Sequence, residues 1–417
     1  MYSLSLLEDI NSISFTNKNL RCLPNIAKFK NLKILYLKNT QINGRNLTSL
    51  PELPESLEYL YCSNNQLTSL PELPKSLIKL DCSINQLTSL PELPESLEYL
   101  YCNDNKLTSL PELPDSLIKL DFSKNKCNYL PKLPNKLIIF SCGENKLTSL
   151  TELPKNLITL NCDNNQLTSL PELPESLKNL FCIKNKLNSL TELPDSLENL
   201  QCYNNQLTSL PELPESLRCL YCNNNQLTSL PKLPVTLLQL TCSKNLLTSL
   251  PKLPLFLKEF FCEHNLLTLL PELPTTLIEL HCGCNKLISL PKLPESLEYL
   301  NCSKNLLTSL PKLPEYLIYL CCSNNQLTFI PELPDILEHF DFKNNIISKI
   351  IYDKNNLKIR KNINTINKFR KLHNFIKIKY WLYKYVLQPK IEKKYHPNNL
   401  IKLLNNDNLE NVLEKWL

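Results

Sequence analysis

The sequence predicts a solenoid: a parallel β-sheet on the concave face, an extended, polyproline II-like convex side, and an α-helical C-terminal cap. Three observations predict it. A twenty-residue unit starts at Leu57, Leu77, Leu97 and so on to Leu337, fifteen times, as L-x-x-L-x-C-x-x-N-x-L-T-S-L-P-x-L-P-x-S. Two looser units precede it, one on Ile10, Ile13, Phe15 and Leu20, the other on Leu32, Leu35, Leu37 and Ile42, so about 17 units fill residues 10–350. The charge then changes: residues 351–417 hold 15 Lys/Arg against 5 Asp/Glu, and the preceding 350 hold 31 against 35. The chain therefore divides into a lead of residues 1–9, an array of residues 10–350, and a basic helical region of residues 351–417.

Each unit opens on a strand, expected from Tyr59 to Ser63 in the unit of Leu57. Side chains alternate across a strand, so Leu60 and Cys62 enter the core while Tyr59, Tyr61 and Ser63 face out. Parallel neighbours ~4.8 Å apart would give an inner surface roughly 80 Å long. After the strand comes an asparagine in all fifteen frames, including Asn65, Asn85, Asn105, Asn165, Asn205, Asn225 and Asn325. Backbone groups leaving a strand need partners. A buried amide donates and accepts, and so can serve the turn and the next unit. A structural ladder is favoured over a binding site here. Proline then fills the Pro51-type position in thirteen units and the Pro54-type position in all fifteen. Prolines three apart favour an extended, polyproline II run without helix.

This frame is that of the leucine-rich repeat. The stretch "SLPELPESLEYLYCSNNQLT" resembles the short repeats of bacterial secreted effectors of the YopM and IpaH group, with L-P-x-L-P and an asparagine ladder. Cysteine replaces the aliphatic residue usual there. The Asn-, Lys- and Ile-rich style and the ending "KYHPNNLIKLL" also resemble the uncharacterised repeat proteins of Mimivirus-type giant DNA viruses. The resemblance implies a protein-binding solenoid with a host or viral partner.

Thirteen of the eighteen cysteines share one frame position, among them Cys62, Cys82, Cys162 and Cys222, and Phe122 and Phe342 hold the same place in the other two units. Phenylalanine neither ligates metal nor forms a disulfide, so the position asks for an apolar group, which a free cysteine supplies. A disulfide between neighbours needs Cβ atoms about 3.8 Å apart, closer than ~4.8 Å strand spacing permits. His281, Cys282 and Cys284 form "HCGC", but only Cys282 should face inward, and a zinc site needs convergent ligands. Cys102-Asn103-Asp104 matches the Cys-x-Asp of the effector ubiquitin ligases. In that family the motif lies in a large catalytic domain after the repeats, and only 67 residues follow this array, so the ligase activity is not carried over. Three glycines, Gly44, Gly143 and Gly283, leave no phosphate-cradling loop. The five histidines are scattered. No catalytic residue, metal or cofactor is assigned, and the chain is not expected to be an enzyme.

The opening "MYSLSLLEDI" lacks a basic segment followed by an apolar run, and no stretch of eighteen apolar residues occurs. With eighteen cysteines, this gives the expectation of a reducing, intracellular setting without a transmembrane segment. The host cytoplasm is favoured, with virion association as the alternative.

Outward strand positions vary from unit to unit while the frame does not. They carry Tyr59, Tyr61, Tyr99, Tyr101, Phe181, Tyr203, Tyr221, Phe261, Tyr299 and Tyr319, interleaved with Lys79, Asp81, Lys119, Asp121 and Asp163. Aromatic residues are enriched at protein interfaces, although tyrosine is also a good strand residue. The mixed lining suits a protein better than a polyanion. In the tail, apolar residues at 363, 366, 369, 372, 376, 380, 383 and 387 follow helical spacing, which Pro389 should stop, and 398–417 suggests further short helices. A cap over the last repeat is the favoured role. Nucleic-acid binding, an anionic membrane surface and an adaptor-binding helix set are the alternatives. The expected function is a non-enzymatic protein-interaction scaffold. The other readings are a substrate-recruiting adaptor for a host ubiquitin-ligase or similar complex, and nucleic-acid binding through the basic tail.

Overall fold

The computed structural model describes residues 10–351, 363, 365–368 and 375–390. The fifteen regular units, and the two looser ones before them, each give one three-residue strand. The strands run from Ser12–Ser14 and Ile34–Tyr36 to Tyr59–Tyr61, and then every twenty residues to His339–Asp341. They pair in parallel as one seventeen-stranded sheet, in register, so that Leu60 faces Leu80 and Leu80 faces Leu100. A second, three-stranded sheet of Asn19–Leu20, Gln41–Ile42 and Arg45–Asn46 flanks the first two units. Among the described residues, no helix is long and apolar enough to cross a membrane.

The strands are shorter than the sequence suggests. Cys62 and Ser63 lie past the strand, although the Cys62 N–H still donates to the Asp81 carbonyl at 2.8 Å. The cause is the next residue. In all fifteen units it adopts the left-handed conformation, with φ between 52° and 57°, and it curls the chain away from the sheet. None of these fifteen residues is glycine.

The core is a stack of columns. Leu57, Leu60, Cys62 and Leu67, with their counterparts in the following units, are almost all fully buried. Phe122 and Phe342 fit the cysteine column as buried residues. On the convex side, 51–58 form neither helix nor strand, and a turn closes where the Leu57 N–H donates to the Pro54 carbonyl at 3.1 Å.

Two polar ladders tie one turn of the solenoid to the next. The asparagine ladder reaches back to the preceding unit rather than forward to the next. Asn85 Nδ2 donates to the Cys62 carbonyl of the preceding unit at 3.1 Å, and to Cys82 and Ser83 of its own at 3.0 and 3.2 Å. Its Oδ1 accepts the N–H of Leu67 at 3.0 Å. The direction follows from the curl: the Cys62 carbonyl lies past its strand end, and the asparagine of the following unit comes to rest over it. Asn65, Asn105, Asn165, Asn225 and Asn325 repeat this, and the less buried Asn205 keeps the same bonds. The second ladder is hydroxylic. Ser76 Oγ donates to the Leu57 carbonyl at 2.8 Å, Ser96 to Leu77 at 2.8 Å, and Thr236 to Leu217 at 2.9 Å.

At the C-terminal end, a short helix, Ser348–Ile351, follows the last unit. Ile363 is buried in the core cluster, Ile366 packs against it, and Asn367 Nδ2 donates to the Ile330 carbonyl at 3.0 Å. Residues 375–390 are helical and continue through Pro389, which the sequence marks as a stop. A π-helical segment, Tyr383–Leu387, ends one residue short of the proline. Proline lacks an N–H and crowds the carbonyl four residues earlier, and a π segment rearranges that bonding so that the helix passes on. The lead 1–9, positions 369 and 372 and the segment 398–417 lie outside the described residues.

Candidate protein-binding face

In nearly every strand of the sheet from Ile34–Tyr36 onward, the middle residue is buried and the first and third line the concave face. In-register pairing turns these positions into two columns. At the N-terminal end one reads Tyr59, Lys79, Tyr99, Lys119 and the other Tyr61, Asp81, Tyr101, Asp121. The Lys79 ammonium lies 5.2 Å from the Tyr61 ring centroid, 5.9 Å from Tyr99 and 5.2 Å from Tyr101, and Lys119 lies 5.1 Å from Tyr101. A cation over an aromatic face is attracted by the ring quadrupole, by about 0.5–1 kcal/mol where exposed. Both carboxylates are engaged by the serine two residues on. Asp81 Oδ1 accepts the hydroxyl of Ser83 at 2.6 Å, and Asp121 Oδ1 that of Ser123 at 2.6 Å. The zone therefore presents rings around ammonium groups. Tyr36 extends it, stacked on Tyr61 with centroids 4.9 Å apart.

Further along, Phe181 and Tyr221 are third-position residues, and the Tyr221 hydroxyl donates to Gln239 Oε1. Tyr203 departs from the expected row. It lies two residues beyond the strand Asn199–Gln201, on the turn, because the strand ends at its third residue. Near the C-terminal end, Phe261 stacks on His281 at 4.6 Å, and Tyr319 lies 6.4 Å from Tyr299 and 4.4 Å from His339. His281 Nε2 is 2.8 Å from Glu279 and its Nδ1 3.6 Å from Glu263, while Asn301 Nδ2 donates to Glu263 at 2.8 Å. Burial disfavours the charged ring, but the hydrogen bond and charge of Glu263, and then those of Glu279, outweigh it and hold the imidazole above its usual range. Tyr36, His339, Glu263 and this role of His281 escape a reading of the aromatic strand positions alone. Their signal is the frame itself: all but Glu263 occupy first or third strand positions.

The cysteines occupy a different environment. The thirteen frame thiols are fully buried. Burial pushes the thiols of Cys202 and Cys242 up to about 12, and those of Cys62, Cys82, Cys162 and Cys222 well above the ordinary range. A thiol kept protonated is a poor nucleophile and metal ligand. Cys102, of the Cys-x-Asp match, is one of these buried residues. In "HCGC", His281 lines the concave face, Cys282 is in the core, and Cys284 takes the left-handed position with φ 54°. Among the described residues, no group of three or more histidine, cysteine or acidic side chains could hold a metal ion.

The family described as Leucine Rich repeats (2 copies) matches residues 55–95. Among solved structures, YopM from Yersinia enterocolitica is 35% identical, with TM-score 0.58, covering 81% of this chain and 87% of its own. YopM from Yersinia pestis, titled a leucine-rich effector protein, is 41% identical with TM-score 0.67, covering 74% of this chain and 87% of its own. A leucine-rich-repeat protein of Leptospira interrogans, at 24% identity and TM-score 0.57, shares the fold over 78% of this chain and 92% of its own. No curated protein matches the chain.

Proposed function

Because this chain belongs to the leucine-rich-repeat family, together with the YopM effectors of Yersinia, we propose that it is a non-enzymatic scaffold holding a protein partner against its concave face. One observation carries this reading: side chains on that face change from unit to unit while those behind it do not, and the changing positions gather rings about Lys79 and Lys119. Rings fixed on paired strands offer contact area with little freedom to lose on binding. The Glu52-type convex positions instead hold only glutamate or lysine in all fifteen units, as expected of a solvated rim. The setting that accompanies the reading is the interior of a host cell, with a host or viral protein as partner. The effector resemblance and the reduced, buried cysteines support it.

Affinity capture with the whole chain, followed by mass spectrometry, identifies the partner. Tyr61→Ala with Tyr101→Ala should then weaken the purified complex at least about tenfold, since buried aromatic anchors contribute ~2 kcal/mol or more. Glu52→Gln with Glu92→Gln should leave it unchanged. Loss of binding in the glutamine pair, with the tyrosine pair unaffected, would place the partner on the convex face.

A further inference from the structure

We infer that the helix of residues 375–390 is an interfacial anchor that lies on anionic lipid membranes. Capping of the array is carried by Ile363, Ile366 and Asn367, which contact the core or its last units. The helix 375–390 takes no part in that core: Phe375, Ile376, Ile378, Tyr380, Trp381 and Tyr385 are each more than half exposed. Apolar groups surround the helix, a pattern that in an exposed helix calls for a non-aqueous neighbour. Its sixteen residues contain four lysines, Lys377, Lys379, Lys384 and Lys390, and no acidic residue.

This composition selects among neighbours. A second copy of the helix would bring like charges together. Nucleic acid would satisfy the lysines but leave Ile376, Ile378 and Leu382 in water. An anionic bilayer surface satisfies both: acyl chains take the aliphatic groups, headgroups take the ammonium groups, and lysine stems reach from one to the other. Trp381 and Tyr385 lie 6.1 Å apart, and the Lys384 ammonium is 5.5 Å from the Tyr385 ring and 5.9 Å from Tyr380. Amphipathic rings beside a cation are the groups that settle at headgroup depth. Four lysines among its described residues would each be costly in the hydrocarbon core, so it lies in the interface rather than crossing.

The full-length chain carrying Trp416→Phe leaves Trp381 as the one indole. Its emission should shift to shorter wavelength with phosphatidylserine-containing vesicles, and much less with phosphatidylcholine alone. The chain should co-sediment with the former. Lys377→Glu, Lys379→Glu and Lys384→Glu together should weaken co-sedimentation at least about tenfold, and the three arginine replacements should retain it. The inference fails if the intact chain ignores anionic vesicles, or if charge reversal leaves binding unchanged. It also fails if short RNA displaces the vesicles at equal charge, or if Trp381 becomes shielded by self-association in their absence.

Discussion

Ile84 occupies the left-handed position of its unit at φ 54°, where Asn stands at Asn64, Asn164 and Asn224. A left-handed conformation costs an ordinary L-residue roughly 1–2 kcal/mol, and a β-branched one is especially ill-suited to it, whereas asparagine tolerates it. The Ile84 side chain is 47% exposed, so its removal takes nothing from the core. The bonds at this position are backbone bonds, from the Ile84 N–H to the Asn103 carbonyl at 2.8 Å and from the Asn65 N–H to the Ile84 carbonyl at 3.1 Å. Ile84→Asn should therefore stabilise the array by about 0.5–1 kcal/mol, read as a higher urea midpoint with unchanged slope. A lower midpoint would mean that the isoleucine makes a contact worth more than its strain. The neighbouring ladder residue has no such latitude. Asn85 makes four bonds that a leucine could not, whereas the cysteine column already accepts phenylalanine at position 122.

Between units, bonds from one strand end to the next set the properties of an element. Asp163 follows the strand Thr159–Asn161, and its Oδ1 accepts the Ile183 N–H of the next unit at 2.7 Å. Burial raises its carboxyl to about 6; the Ile183 bond opposes this, and the Glu144 charge adds to it. The folded chain thus holds this proton more tightly than the unfolded chain, whose aspartate titrates near 4. The site destabilises the fold above pH 6, and that cost fades as the pH falls from 6 towards 4. Asp163→Asn keeps an acceptor oxygen and should stabilise by on the order of 1 kcal/mol at pH 7, with the gain gone near pH 4. Thermal melts across that range check it, and a gain independent of pH would assign the effect to something other than the charge. The strands themselves were legible because period-two alternation returns in phase fifteen times. Their early termination was not, since the left-handed position holds Asn, Asp, Glu, Lys, Ile, His and Cys without a shared type. The hydroxyl ladder is visible as recurring Ser or Thr, but its role depends on a carbonyl nineteen residues earlier. The aromatic positions could be read from the frame, whereas the place of Lys79 among three rings depends on how a long, flexible side chain settles. The helix past Pro389 was hidden because a π segment is set by backbone adjustment and leaves no residue signature.

The whole molecule is quasi-one-dimensional, so its two ends decide where it opens first. Ile363 and Ile366 pack with the core, and Asn367 Nδ2 reaches the Ile330 carbonyl close to the end of the array. Deleting residues 351–417 should speed amide exchange in the last two or three units while leaving the units around Tyr59–Tyr61 protected. Equal protection along a monomeric truncated chain would show that the array closes its own end. A different consequence follows from the ladders. The bonds of both ladders recur at fixed offsets from one unit to the next, so a gene that gains or loses sixty nucleotides in frame adds or removes one complete tread. The tyrosine zone at Tyr61 and the histidine zone at His281 stand eleven treads apart, ~50 Å along the face. Replication slippage can then reset that interval in steps of ~5 Å without a new fold having to be found. The array is a gauge, and a partner that grips both zones would tell one length of it from another.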